Sequence, residues 1–413
     1  MKSAKAHNWS PNKWPVEDKV DVQMKIILFV ISPFISFLYS LKTPNRKSSF
    51  IVGFLFCIFF GMAFTVGNVR NDNSLDGITY RIGFEEYVGD SELTYYAGLE
   101  DFLSFQGETK DYYFDTVAFL VSRFTSNYHV MFMIFAIIFA FFMYNSLKIL
   151  TEDEYFRCNL VCLLLIVIFC WNQIFNINGV RFWTAAWVAT YAALQIFYKG
   201  KNGYFLLALI TPFIHGSYWF FLIILGIAFF FRRFKSLWTI LFCVSTFVSS
   251  FAVDILDMTA EYIPSFLQKT VAYYTDEMYM NEVANAGQAI DSFFRFTSRL
   301  YVNLLVIMLI LGPKSTKEHD KSLYGFLLVY MSIVNFYSLI PSLGNRFLMV
   351  ALPFVGLMWL RVYKGVYKNV WLYVFPLFFM LDIYQLFKYR YFVVLDWTFY
   401  ISSPFKIIFD YLL

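Results

Sequence analysis

The amino-acid sequence predicts an all-α polytopic membrane protein with about 11–13 transmembrane or half-spanning helices, set by the roughly 20 helical residues that a bilayer core requires. Composition is the first reason: of 413 residues, 59% are hydrophobic and only 15% charged, where a soluble domain carries about 25% charged residues. Mean hydropathy is +0.57. The second is the succession of apolar runs at 26–41, 50–67, 128–144, 158–175, 180–198, 203–231, 237–253, 300–312, 323–340, 347–360 and 370–387. The third is the sorting of charge between the short and long connections. Disorder, a nucleic-acid-binding module and an ordinary cytosolic enzyme are excluded, and a net charge of +4 is too small and dispersed for a nucleic-acid footprint.

Taken in order, residues 1–25 form a polar tail and 26–390 a single polytopic domain. Residues 391–413, with Trp397, Tyr400 and Phe405 among Asp396 and Lys406, form an interfacial or membrane-associated end. The run at 26–41 lacks a small-residue cleavage site and reads as a retained anchor, not a signal peptide. The run at 300–312 is short and draws its first turns from 293–297. The run at 203–231 is too long for one straight span and marginal for two. Pro212 removes a backbone donor at its centre, and Gly216 supplies a permissive joint.

Basic residues orient these runs, because cytoplasmic loops are enriched in Lys and Arg. Lys199 and Lys201 precede the 203–231 run, and Arg232, Arg233 and Lys235 follow it. Both clusters belong on the cytoplasmic side, so the run must turn back around His215. The loops holding Lys42, Arg46, Lys47 and Arg361, Lys364, Lys368 are cytoplasmic by the same rule. Segment 68–127 carries eleven acidic against four basic residues, and 254–296 carries seven against two. Both are expected as outer loops. This scheme puts the N-terminus outside, which conflicts with Lys2, Lys5, Lys13, Lys19 and Lys25. Either the first run does not fully cross, or the later loops decide the orientation.

Five cysteines lie within or beside apolar runs and read as buried small residues, without disulfide or metal spacing. No glycine-rich phosphate loop is present, so chemistry here must draw on an activated substrate or a gradient. No cofactor and no metal are expected.

Residues suited to chemistry gather at the expected outer ends of the runs. Arg181, in Asn178-Gly-Val-Arg, opens an apolar helix, where an arginine snorkels, pairs or serves a ligand. Asn178 or Asn176 is expected to cap that helix, and arginine beside a helix N-terminus suits phosphate or pyrophosphate. Arg346 stands in the same relation to its own helix, so two planar forks of donors can grip a diphosphate from two sides. Arg299 is placed similarly, although Arg295 nearby makes it resemble a loop edge. His215, with Ser217, lies in the broken run and suits a general base or a donor to a leaving oxygen. Asp72, Asp76 and Tyr80 in the first acidic segment are candidate sugar binders, and Asp111 leads an acidic-aromatic stretch into a helix.

These elements together resemble the EpsG/Wzy-type family of bacterial polysaccharide polymerases over roughly residues 25–390. The likeness rests on Asp76-Gly-Ile-Thr-Tyr80, the stretch 111–124, Asn178-Gly-Val-Arg181 and Ile214-His-Gly-Ser217. The family pattern usually has Gln after the arginine, where Phe182 stands, and an aromatic after the histidine, where Gly216 stands. Those departures bear on acceptor or sugar specificity. The resemblance implies a GT-C-like, metal-independent enzyme of the bacterial inner membrane that joins undecaprenyl-pyrophosphate-linked repeat units on the outer face. Its implied partners are a lipid-linked donor and acceptor, membrane lipids, and a chain-length regulator and flippase. Two other classes stay open: a flippase or polysaccharide transporter, and a ligase or polyprenyl-phosphate-sugar glycosyltransferase.

Overall fold

The computed structural model describes residues 14, 16–69, 75–90, 92–104, 109–259, 262, 268, 272, 289–313, 317–363, 369–386 and 392–413. Asp72 and most of the expected second outer loop lie outside them. Among the described residues all regular structure is helical. The helices are α1 (Lys19–Ile31), α2 (Pro33–Ser40), α3 (Lys47–Ala63), α4 (Asp76–Gly89), α5 (Glu92–Ser104), α6 (Tyr113–Ser122), α7 (Tyr128–Thr151), α8 (Leu160–Phe169) and α9 (Val180–Ala193). Then follow α10 (Phe205–Ala208), α11 (Thr211–Ile214), α12 (Tyr218–Phe231), α13 (Lys235–Ser245), α14 (Phe251–Thr259), α15 (Ala289–Leu311), α16 (Glu318–Phe336), α17 (Pro341–Val350) and α18 (Leu352–Tyr363). Short turns between 370 and 385 precede the terminal α19 (Pro404–Leu412). By length and composition, Tyr128–Thr151, Leu160–Tyr198 and Leu343–Tyr363 can cross a membrane.

The first apolar run does not continue as one helix. Ser32 adopts an extended conformation and accepts from the Ile35 amide, and Pro33, with no amide to donate, opens α2. The chain therefore folds back: Ser36 donates to the Lys25 carbonyl at 2.8 Å, and Lys25 Nζ reaches Asp21 at 2.6 Å, Thr43 at 2.8 Å and Ser48 at 2.9 Å. Lys25 thus lies at the same end as the basic loop with Arg46, whose guanidinium donates to the Val16 carbonyl at 2.6 Å. Among the described residues α1 and α2 thus form a hairpin, and the run at 26–41 is not one continuous helix.

Helix α3 packs closely along α7. A Cβ built on Gly61 would lie 2.3 Å from Ala136 Cβ and 2.7 Å from the Phe132 carbonyl, so only glycine permits this approach. Next, α8 and α9 form a second hairpin through a 3-10 turn, Ile174–Gly179. Asn172 bonds the Trp183 carbonyl at 2.9 Å, and Trp187 Nε1 bonds the Asn172 carbonyl at 2.9 Å. The 203–231 run turns back as well. It breaks into α10, α11 and α12 around residues 215–217, and the Arg232 guanidinium returns to 5.4 Å from the Phe197 ring centroid.

The acidic segment 68–127 holds helices α4, α5 and α6, where the sequence reading expected chiefly loop. Helix α15 is continuous from Ala289 to Leu311, so Arg299 lies inside a helix and not at a loop edge. Two cysteines, Cys158 and Cys243, are exposed, contrary to the expectation that all five are buried.

At the Lys199 and Arg232 end, an ion cluster joins elements far apart in sequence. Arg361 in α18 binds Asp320 at 2.9 Å, Asp153 at 3.1 Å and Glu154 at 3.2 Å, and Tyr198 donates to Asp153 at 2.6 Å. Arg361, Asp153 and Asp320 are at most 3% exposed. The guanidinium fork is therefore fully used.

Candidate functional site

The opposite end gathers most of the sequence-predicted site. Arg181 is the second residue of α9, and its Nη1 binds Asp111 Oδ1 at 2.9 Å while its Nε reaches the Tyr80 hydroxyl at 3.4 Å. The other Asp111 oxygen accepts from the Gly216 amide at 3.3 Å. One carboxylate thus holds the arginine and the histidine turn together. This contact exists because residues 110–112 run beside 213–216, with the Tyr112 amide donating to the Phe213 carbonyl at 2.9 Å. A Cβ at Gly216 would lie 3.0 Å from the Lys110 carbonyl oxygen, so a larger residue there would push the segments apart.

Asp111 is only 5% exposed and has both oxygens engaged, which makes it a clamp on Arg181, not a carboxylate offered to a sugar. Loss of hydration raises its pKa, against the opposing pull of Arg181 and the Gly216 amide. Arg181 remains 41% exposed, with donors left for a ligand.

His215 occupies the turn between α11 and α12, outside both helices. Its Nδ1 accepts from the Ser217 amide at 3.2 Å and lies 2.8 Å from Ser217 Oγ. Loss of hydration lowers its pKa, and Arg181, Arg346 and Lys110 lower it further. Ser217 therefore positions the histidine that it follows.

Arg346 approaches from α17, which is fixed by a bond from the buried Tyr330 hydroxyl to the Phe347 carbonyl at 2.8 Å. Its guanidinium lies 5.4 Å from the Phe182 ring centroid, and the His215 ring meets Phe182 edge-on at 5.3 Å. Arg346 is exposed, and among the described residues no carboxylate pairs with it. Arg299 bonds Asn345 at 2.9 Å, so it stands one residue from Arg346 and supports that helix.

Asn178 does not cap α9, and neither does Asn176. Gly179 occupies the cap position without a side-chain bond, and Asn176 donates to Asn172 at 2.8 Å. Asn178 accepts from the Gly77 amide at 2.9 Å, satisfying the first turn of α4. That bond brings Asp76 and Tyr80 to Arg181. Asp76 is exposed, and a Cβ at Gly179 would lie 3.5 Å from its Oδ2.

Sequence reasoning missed one member of this site, Lys110, a third cation facing His215. It marked Phe182 and Gly216 only as departures from the family pattern, whereas Phe182 is the ring shared by His215 and Arg346 and Gly216 admits the 110–112 segment. For Lys110 the only local signal was its adjacency to Asp111. No group of three or more His, Cys, Asp or Glu side chains among the described residues has the arrangement of a metal site.

No curated protein and no solved structure matches this chain. A family model does, that of the EpsG family, over residues 52–402, which takes in every site residue placed above. The family carries a polysaccharide-polymerase type of role and a membrane location, in keeping with helices long and apolar enough to cross a bilayer. This chain therefore belongs to the EpsG family.

Proposed function

We propose that this protein polymerises lipid-diphosphate-linked oligosaccharide repeat units, undecaprenyl pyrophosphate being the carrier, on the outer face of a bacterial inner membrane. The observation that carries this reading is the meeting of Arg181, Arg346 and His215 around Phe182, with Arg346 lacking a described carboxylate partner. Cations whose donors are only partly used suit an anionic ligand, and planar guanidinium forks suit phosphate oxygens. Lys110 adds charge on the same side.

In this reading an acceptor hydroxyl oxygen attacks the anomeric carbon of the donor sugar. The bond from that carbon to the diphosphate oxygen breaks, and its electron pair leaves with the diphosphate. Arg181 and Arg346 stabilise the charge that develops there, a contribution of about 3–4 kcal/mol for one well-placed donor group. Asp76 and Tyr80 lie beside Arg181 and orient a sugar. The lipid carrier is itself the leaving group, so nucleotide is not required and the two arginines supply the positive charge in place of a metal. The fold is of the GT-C-like kind and multi-pass, and a flippase and a chain-length regulator act before and alongside it.

The test is a purified, reconstituted protein given a radiolabelled lipid-diphosphate-linked repeat unit with a chelator and no nucleotide. Laddered products support the reading. Labelled lipid that crosses the bilayer without extension favours the transporter class, and single transfer to another acceptor favours a ligase.

A further inference from the structure

The geometry points to a division of labour in which His215 is a neutral hydrogen-bond donor through Nε2 to the leaving diphosphate oxygen, while the acceptor's proton passes to the Asp76 carboxylate. This rests on the polymerase reading but is argued from different contacts. A backbone amide can only donate, and the Ser217 amide points at His215 Nδ1 from 3.2 Å. Nδ1 must therefore hold a lone pair, and the neutral ring must carry its hydrogen on Nε2. The Ser217 hydroxyl, 2.8 Å from the same nitrogen, donates to it too.

Nε2 has no hydrogen-bond partner among the described residues. A ring held this way offers a donor, not a lone pair, to whatever lies beyond Nε2. Arg181, Arg346 and Lys110 all disfavour a second proton on it. A histidine built as a base would need the opposite tautomer, with Nδ1 donating to a carbonyl or carboxylate.

The proton must then go elsewhere. Three described carboxylates lie near Arg181. Asp111 is spent on Arg181 and Gly216, and Asp115 accepts from the Tyr87 hydroxyl at 2.9 Å. Asp76 makes no hydrogen bond or ion pair among the described residues, is exposed, and sits against Gly179, two residues from Arg181. In the balanced step the hydroxyl oxygen bonds to the anomeric carbon and its proton moves to Asp76. The carbon–oxygen bond to the diphosphate breaks, and the freed oxygen takes the Nε2–H hydrogen bond. No proton is transferred from His215.

Solid-state ¹⁵N NMR of histidine-labelled protein in nanodiscs reads the ring without any substrate. The chain has four histidines, and subtraction of the H215Q spectrum isolates one. The expected signal is a neutral ring protonated at Nε2 throughout about pH 5.5–8, where an ordinary imidazole titrates. A ring protonated at Nδ1, or one that becomes imidazolium in that range, overturns the proposal.

Chain extension on the lipid-linked repeat gives the second arm. Glutamine places an amide nitrogen where Nε2 stood, so H215Q keeps activity within about tenfold of the unaltered protein, whereas H215A loses about a hundredfold or more. D76N loses about a hundredfold, as expected for a removed base, and D76E recovers part of it. Equal loss in H215Q and H215A overturns the donor role, and full activity in D76N overturns the base. Absence of extension by the unaltered protein counts against polymerisation itself, and the NMR arm still decides the state of the ring.

Discussion

Two arginine clusters stand at opposite ends of this helical bundle. Arg361 is buried, faces Asp153, Asp320 and Glu154, and has its fork consumed by them. Arg181 has one carboxylate and is 41% exposed, and Arg346 has none among the described residues and is exposed. The first arrangement is electrically closed and holds the α7–α8 connection, α16 and α18 together. The second is cation-rich and open, the state expected of a site whose counter-charge arrives with its ligand. Thus the balance of charge, more than the presence of arginine, separates a structural cluster from a binding one.

The largest effect should come from opening the closed cluster. Arg361→Ala leaves two buried carboxylates without their partner, a loss of about 3–5 kcal/mol. Detergent-solubilised protein should then show a large fall in thermal stability or yield. Replacing Arg361, Asp153 and Asp320 together by Met and Leu residues should recover most of that loss, because the buried charges go with their partner. If Arg361→Ala is as stable as the parent, the two clusters do not differ in kind.

At the open cluster the order reverses: activity falls and the fold persists. Arg181→Ala and Arg346→Ala should each lower chain extension by about 10²–10³-fold, the scale for loss of one charge-stabilising donor. Membrane insertion should persist in both; melting should stay near that of the unaltered protein in Arg346→Ala and fall in Arg181→Ala, which leaves the buried Asp111 carboxylate without its arginine. Normal polymer length in Arg181→Ala would remove that residue from the chemistry.

A pH series sharpens the same contrast. Burial raises the pKa of Asp111, so on acidification this carboxylate takes up a proton before an ordinary aspartate, whose value is about 3.9, and releases Arg181. Diphosphate binding should therefore show an acid limb with its midpoint above that value. Asp111→Asn should bind more weakly and lack the limb, and a limb unchanged in that variant would assign it to another group.

Smaller changes should follow at the supporting residues. Phe182→Leu keeps an apolar side chain but loses the shared ring, and about a tenfold loss of activity is expected from misplacement of His215 and Arg346. Ser217→Ala keeps the backbone amide that sets the histidine and should cost only about 1 kcal/mol of transition-state stabilisation, the net scale of one neutral hydrogen bond. Steady-state rates of the two variants rank these contributions.

Much of the bundle was legible because hydropathy is a local property. The apolar runs, the reversal at 215–217 and the arginine opening α9 could be read from neighbours in sequence. The helices within the acidic segment were less legible, since α4 and α5 lack a strong apolar face and gain their place through bonds such as that from Gly77 to Asn178, 101 residues away. The closed cluster was invisible for the same reason. Arg361 counted as one more basic loop residue, yet its partners lie 41 and 208 residues distant. Asp111 was legible as important but not as a clamp, because its role depends on which residues occupy both its oxygens.

The central claim is that Arg181 and Arg346 act on one anion. Its most direct measurement is a double-mutant cycle on binding of farnesyl diphosphate, a short prenyl diphosphate, to the protein in nanodiscs. Two arginines gripping one diphosphate predict that either alanine variant weakens binding by at least about tenfold, and that the double variant departs from the product of the single effects by a coupling of about 0.5–3 kcal/mol. Strictly multiplicative losses, or binding indifferent to both substitutions, would contradict it.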